Sequence, residues 1–135
     1  MINPFDLKTV LLARHAQHVV LVHFPIALFI TAVAFDVAAY WTRRQNLADA
    51  AYYNLLVAAI STLPVLATGL LAWQLQLEGQ TLKDILLLHL IFGFVSSGMI
   101  WMVWRLHFRA RRRSEALPQY RMVIEFLGVG IIALT

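Results

Sequence analysis

The chain has 135 residues, of which 61% are hydrophobic and 13% charged, with a mean hydropathy of +0.72. A domain this small has no interior large enough for so much apolar surface, which excludes an ordinary water-soluble globule and calls for a bilayer as solvent. The absence of cysteine excludes disulfides, iron–sulfur clusters and covalently attached c-type haem, and the net charge of +4 is no nucleic-acid signal, because most arginines stand just beyond apolar runs, where they set topology.

Met1 to Lys8 lacks the basic and apolar regions of a cleavable signal peptide, so the first span serves as its own address. Residues 4–15 open on Pro4 and Asp6 and mix apolar with polar positions, predicting a short helix lying at the membrane surface. His15 and His18 follow, three residues apart. With no third ligand nearby they read as interfacial histidines rather than a metal motif. The first span is predicted over residues 19–41, long enough at ~1.5 Å per residue to cross a ~30 Å core. Pro25 cannot donate to the carbonyl of Leu21, which predicts a loosened turn beside His23. His23 shares a mostly slim face with Ala27, Ile30, Thr31 and Ala34. Asp36, about one turn from the far end, is either a proton relay or, the stronger reading, a partner of Arg43, Arg44 or Arg105 near the headgroups.

Trp41 to Asp49 forms a short polar connection, and the second span is predicted over residues 51–74 with Tyr52 and Tyr53 at one interface and Trp73 at the other. Ala58, Thr62, Val65, Gly69 and Ala72 recur at helical spacing as a face of small residues that admits a backbone or a flat ligand. Pro64 is tolerated if hydroxyls such as those of Ser61 and Thr62 relieve the carbonyl it frees. The third span is predicted over residues 84–106 and groups His89, Gly93, Ser96 and Ser97, with Gly93 clearing space one turn after His89. Trp101 and Trp104 mark its far interface. His107, in the basic run Arg105 to Arg113, reads as solvated or in contact with lipid phosphate. The fourth apolar segment, residues 121–135, reaches only ~22 Å, so either the chain continues or this helix is partly inserted. Within it Arg121 and Glu125 are expected to pair, one turn apart.

These segments predict an all-α fold: a membrane-embedded, up-and-down four-helix bundle in one domain, with a fourth helix that is either incomplete or partly inserted and a short interfacial helix before it all. The first and third connections carry Arg43, Arg44, Arg109, Arg111, Arg112 and Arg113, against Lys8, Arg14 and Lys83 on the other side. The positive-inside rule therefore places both termini on the non-cytoplasmic side. His23 and His89 then lie at matched depth, with Gly69 at the same level. An imidazole that has left water needs an acceptor, a metal or a cofactor. In such a bundle the first and third helices face across a diagonal of ~11–14 Å, room for two imidazoles and an iron.

The sequence reading is therefore a b-type cytochrome-like electron-transfer protein, with haem b between His23 and His89 as axial ligands and Gly69 and Gly93 making room for the macrocycle. An iron ligated on both sides passes electrons without activating oxygen. A structural or assembly subunit of a larger respiratory or photosynthetic membrane complex is the alternative, its histidines bonded to Ser96, Thr31 or a partner chain. Third is a non-haem metal at His18, His23 and His89, for which a five-residue spacing is poor on one helix face. No nucleophile–base pair or phosphate-cradling loop is visible, and the expected partners are the lipid bilayer and other membrane or cytochrome subunits, not nucleic acid.

The stretch Val22-His-Phe-Pro-Ile-Ala-Leu28, preceded by His18 and followed by Asp36, Gly69 and His89, resembles a bacterial family of predicted membrane proteins catalogued as domain of unknown function 2231. The resemblance covers about residues 16–110 and departs from the family pattern at Val19, commonly proline, and near Ala72, where an acidic residue often follows the glycine. It implies a multi-pass protein of the bacterial cytoplasmic membrane working beside electron carriers, since relatives look fused to c-type cytochrome or Rieske-type modules.

Overall fold

The computed structural model describes residues 14–76 and 85–134, and every described element is an α-helix. We number these α1 (Arg14–Thr42), α2 (Gln45–Gln76), α3 (Ile85–Arg113) and α4 (Tyr120–Ala133). The expected surface helix over residues 4–15 falls almost wholly outside the described residues, as does most of the second connection. α1 to α3 are each long and apolar enough to cross a membrane, over Gln17–Thr42, Gln45–Gln74 and Ile85–Arg113. α4, at 14 residues, reaches only ~21 Å.

α1 packs on α2, α2 on α3, α3 on α4 and α4 back on α1. The ring leaves α1 facing α3 along one diagonal, the arrangement that short connections between antiparallel neighbours produce. The connections are tighter than the polar runs imply. α1 and α2 are separated by Arg43 and Arg44 alone, with Arg43 at φ 56°. A left-handed residue at this point ends one helix and lets the next begin. α3 runs on through the basic stretch to Arg113, since arginine is a good helix former. Arg111 donates to Asp49 Oδ1 at 2.7 Å and lies over the Tyr52 ring, which places the start of α2 beside the end of α3.

The core is built from Phe29, Ala32 and Val33 of α1, Leu55, Ala58 and Ala59 of α2, Ile100 and Val103 of α3, and Ile132 of α4. Alanines on α1 and α2 let the backbones approach, as small residues do between membrane helices. The small-residue face of α2 does turn inward: Ala58, Thr62 and Val65 are buried, and Gly69 and Ala72 half-buried. The hydroxyls beside Pro64 act differently from the expectation. Ser61 and Thr62 donate to Ala58 and Ala59, not to the carbonyl of Ile60 that the proline frees. Trp101 turns inward, its indole N–H donating to Thr62 Oγ1 at 3.1 Å.

α4 meets α1 where Gly128 lies against Phe29. A Cβ at Gly128 would stand 2.9 Å from Phe29 Cζ, and Phe29 is fully buried. With no room for the ring to turn aside, Gly128→Ala is expected to cost ~1–3 kcal/mol as an overpacked contact. Chemical unfolding in detergent micelles reads this directly; unchanged stability would mean that α4 is free to move off Phe29.

Candidate functional site

The inward stripe of α1 decides which histidine the bundle receives. Pro25, Phe29, Ala32, Val33 and Asp36 are buried, whereas His23, Ala27, Ile30, Thr31 and Ala34 are all exposed. The face that carries His23 thus points away from the bundle. His23 lies there with its ring N–H donating to the Val19 carbonyl of its own helix at 2.6 Å. His18 lies five residues earlier, roughly 140° around the helix from His23 at ~100° per residue, and this turns it toward α2 and α3.

His18 and His89 meet across the α1/α3 diagonal, with ring centroids 6.2 Å apart and planes at 89°. His18 Nδ1 lies 3.1 Å from Thr68 Oγ1. The Thr68 hydroxyl hydrogen goes to the backbone, to Pro64 O at 2.8 Å or Val65 O at 3.0 Å. Its oxygen is then free to accept from His18 Nδ1–H, the tautomer that leaves the ring lone pair on Nε2. Gly69, one residue on, lies against this ring, and a Cβ there would stand 3.0 Å from His18 Cε1 and crowd it. The structure thus sets half-buried His18 beside Gly69 and against His89, which is itself exposed, and leaves His23 out, so the expected His23–His89 pair is replaced by a His18–His89 contact.

Beside the pair lies an apolar cavity of about 310 Å³ lined by α1, α2 and α3 and, through Ile132, by α4. Gly93 lines it with nothing within 4 Å of a Cβ position, and Val22, Trp73 and Phe94 supply apolar wall. Two imidazole nitrogens each ~2 Å from one metal, with ~1 Å more from nitrogen to ring centre, put ring centroids roughly 6 Å apart. The observed 6.2 Å fits a metal ligated from two sides. A neutral two-imidazole donor set between glycines in an apolar cavity is also suited to haem. Thr68 would then be the outer partner that fixes the tautomer and ring orientation of a ligand. Thr68→Val is accordingly expected to weaken cofactor retention about 10–100-fold while leaving the helical circular dichroism unchanged; full retention on titration would deny Thr68 that part.

A second polar constellation occupies the opposite end of the bundle, and the sequence reading missed it. Asp36 is bonded by neither Arg43, Arg44 nor Arg105: Arg121 Nε donates to its Oδ2 at 2.9 Å. Arg121 is therefore not the partner of Glu125, which instead lies 3.0 Å from His107 Nε2. His107 is not solvated, and these four side chains are all nearly sealed, at 2% exposure for Asp36, 6% for Arg121, 4% for His107 and 1% for Glu125. One signal for the site was present in the sequence. His18 and Asp36, and likewise His89 and His107, are eighteen residues apart, about five full helical turns, so each pair lies on one stripe of its helix.

Neither a curated protein nor a solved structure matches the chain. Residues 14–135 match the predicted membrane protein family DUF2231, and with nearly the whole length covered the chain belongs to that family.

Proposed function

We propose that this protein is a membrane electron-transfer subunit of the b-type cytochrome kind, holding haem b between His18 and His89. The observation that carries the reading is the 6.2 Å separation of two imidazoles beside an apolar cavity. Haem would supply one-electron exchange, with His18 and His89 as the residues that would hold it. The chain's own part is positional. Thr68 holds His18 by its Nδ1 hydrogen bond, Gly69 gives that ring its place, and Gly93 keeps the cavity wall low. Val22, Trp73 and Phe94 give the cavity apolar lining.

The arginine-rich connections support an orientation with that end in the cytoplasm and both termini across the membrane. The histidine pair then lies on the side where soluble redox partners or other cytochrome subunits of a bacterial cytoplasmic membrane would reach it. The alternative is a structural or assembly subunit, favoured by the edge-on contact of the two rings and by the Thr68 bond, which hold the imidazoles without any guest. Haem analysis of the purified protein separates the two. Retention of haem in stoichiometric amount supports the carrier, and a folded protein that takes up none from excess haem supports the structural subunit.

A further inference from the structure

The Asp36, His107, Arg121 and Glu125 constellation joins α1, α3 and α4 at the end of the bundle away from the histidine pair. Helical rise over eighteen residues separates the two sites by ~27 Å. Ligand atoms of Asp36, His107 and Glu125 all lie within 4.8 Å of one another. The charges that Glu125 feels come from every helix packed there: Asp36 on α1, His107 on α3 and Arg121 on its own α4. α2 adds none among the described residues, and its nearest acid, Asp49, is bonded to Arg111 one turn beyond His107.

Counting charge decides what such a cluster takes. The guanidinium is always positive. With both carboxylates ionised and the imidazole neutral, the four side chains carry one net negative charge, which a low-dielectric interior disfavours. One proton cancels it. A divalent cation would leave an excess positive charge and would have to take Asp36 from Arg121. The geometry also supplies positions for the proton. It can lie between His107 Nε2 and Glu125 Oε1, 3.0 Å apart, or on Glu125 Oε2, which is buried with no hydrogen-bond partner among the described residues.

We propose that these four side chains form a proton-binding site inside the bundle, holding one exchangeable proton on the His107–Glu125 pair while Arg121 and Asp36 stay ion-paired. The proton is taken from water and returned to it, with no other reactant. This site stands independently of any haem.

The test is infrared and ¹⁵N NMR spectroscopy of the full chain in micelles, with isotope-labelled glutamate and histidine, titrated from acid to alkaline pH. A single-proton transition of a buried glutamic acid or histidine signal is expected in the wild type, absent from both Glu125→Gln and His107→Gln. If either variant fails to fold, the wild-type titration decides alone. A wild-type fold whose labelled groups show no buried transition would overturn the proposal. So would a transition that survives both substitutions, or stoichiometric zinc binding that His107→Gln abolishes.

Discussion

His18→Ala is expected to abolish haem retention, while His23→Ala keeps it. The two histidines are close in sequence and alike in chemistry, so the contrast isolates geometry. Removing His18 leaves His89 as a single imidazole to hold the group, which would then be lost during purification. His23 is exposed and bonded to its own backbone, so its loss removes nothing from the cavity. Both variants should keep the wild-type helical circular dichroism. The measurement is haem content per protein by pyridine haemochrome after identical purification. Equal loss in the two variants would return His23 to the site and require α1 to rotate.

Arg121→Met is expected to be the most destabilising substitution of a charged residue in the bundle. It strands Asp36, 2% exposed, without its guanidinium, and breaking one half of a buried ion pair typically costs ~3–5 kcal/mol. That is a large share of the ~5–15 kcal/mol that holds a domain together. Replacing both partners by apolar side chains of similar size is often neutral or stabilising, so Asp36→Leu combined with Arg121→Met should recover most of the loss. Denaturant unfolding of the single and double variants in micelles checks both halves. A double variant as unstable as Arg121→Met alone would show that the penalty comes from lost packing of the arginine stem rather than from an unpaired carboxylate.

The helices were legible because a long apolar run between charged flanks has few alternatives in a bilayer. The small face of α2 was legible for a similar reason, since Ala58, Thr62, Val65 and Gly69 repeat at helical spacing. His89 lay in view as well. The wrong choice of partner came from judging depth without angle. Depth alone favours His23, which lies further inside the apolar run than His18. Yet Asp36 is a charge that must face inward, and a residue eighteen positions earlier shares its direction almost exactly in angle, whereas His23, thirteen positions earlier, points away from it by roughly 140°. Taking the buried acid as the angular reference selects His18.

The polar cluster was less legible. Asp36 and Arg121 are 85 residues apart, and no spacing rule joins them. What joins them is that α1 ends and α4 begins at the same end of the bundle. Arg43 and Arg44 are nearer in sequence, but they form the connection itself and stay exposed. His107 was misread because it is surrounded by arginines in sequence. On a helix its flanking charges point elsewhere, and Val103, His107 and Ala110 form the buried face.

The visible absorption spectrum of the purified, haem-replete wild-type protein, first oxidised and then reduced with dithionite, bears most directly on the pairing of His18 with His89. Sharp reduced α and β bands of a six-coordinate, low-spin haem are the expected result. A correctly folded protein with no Soret band would contradict it.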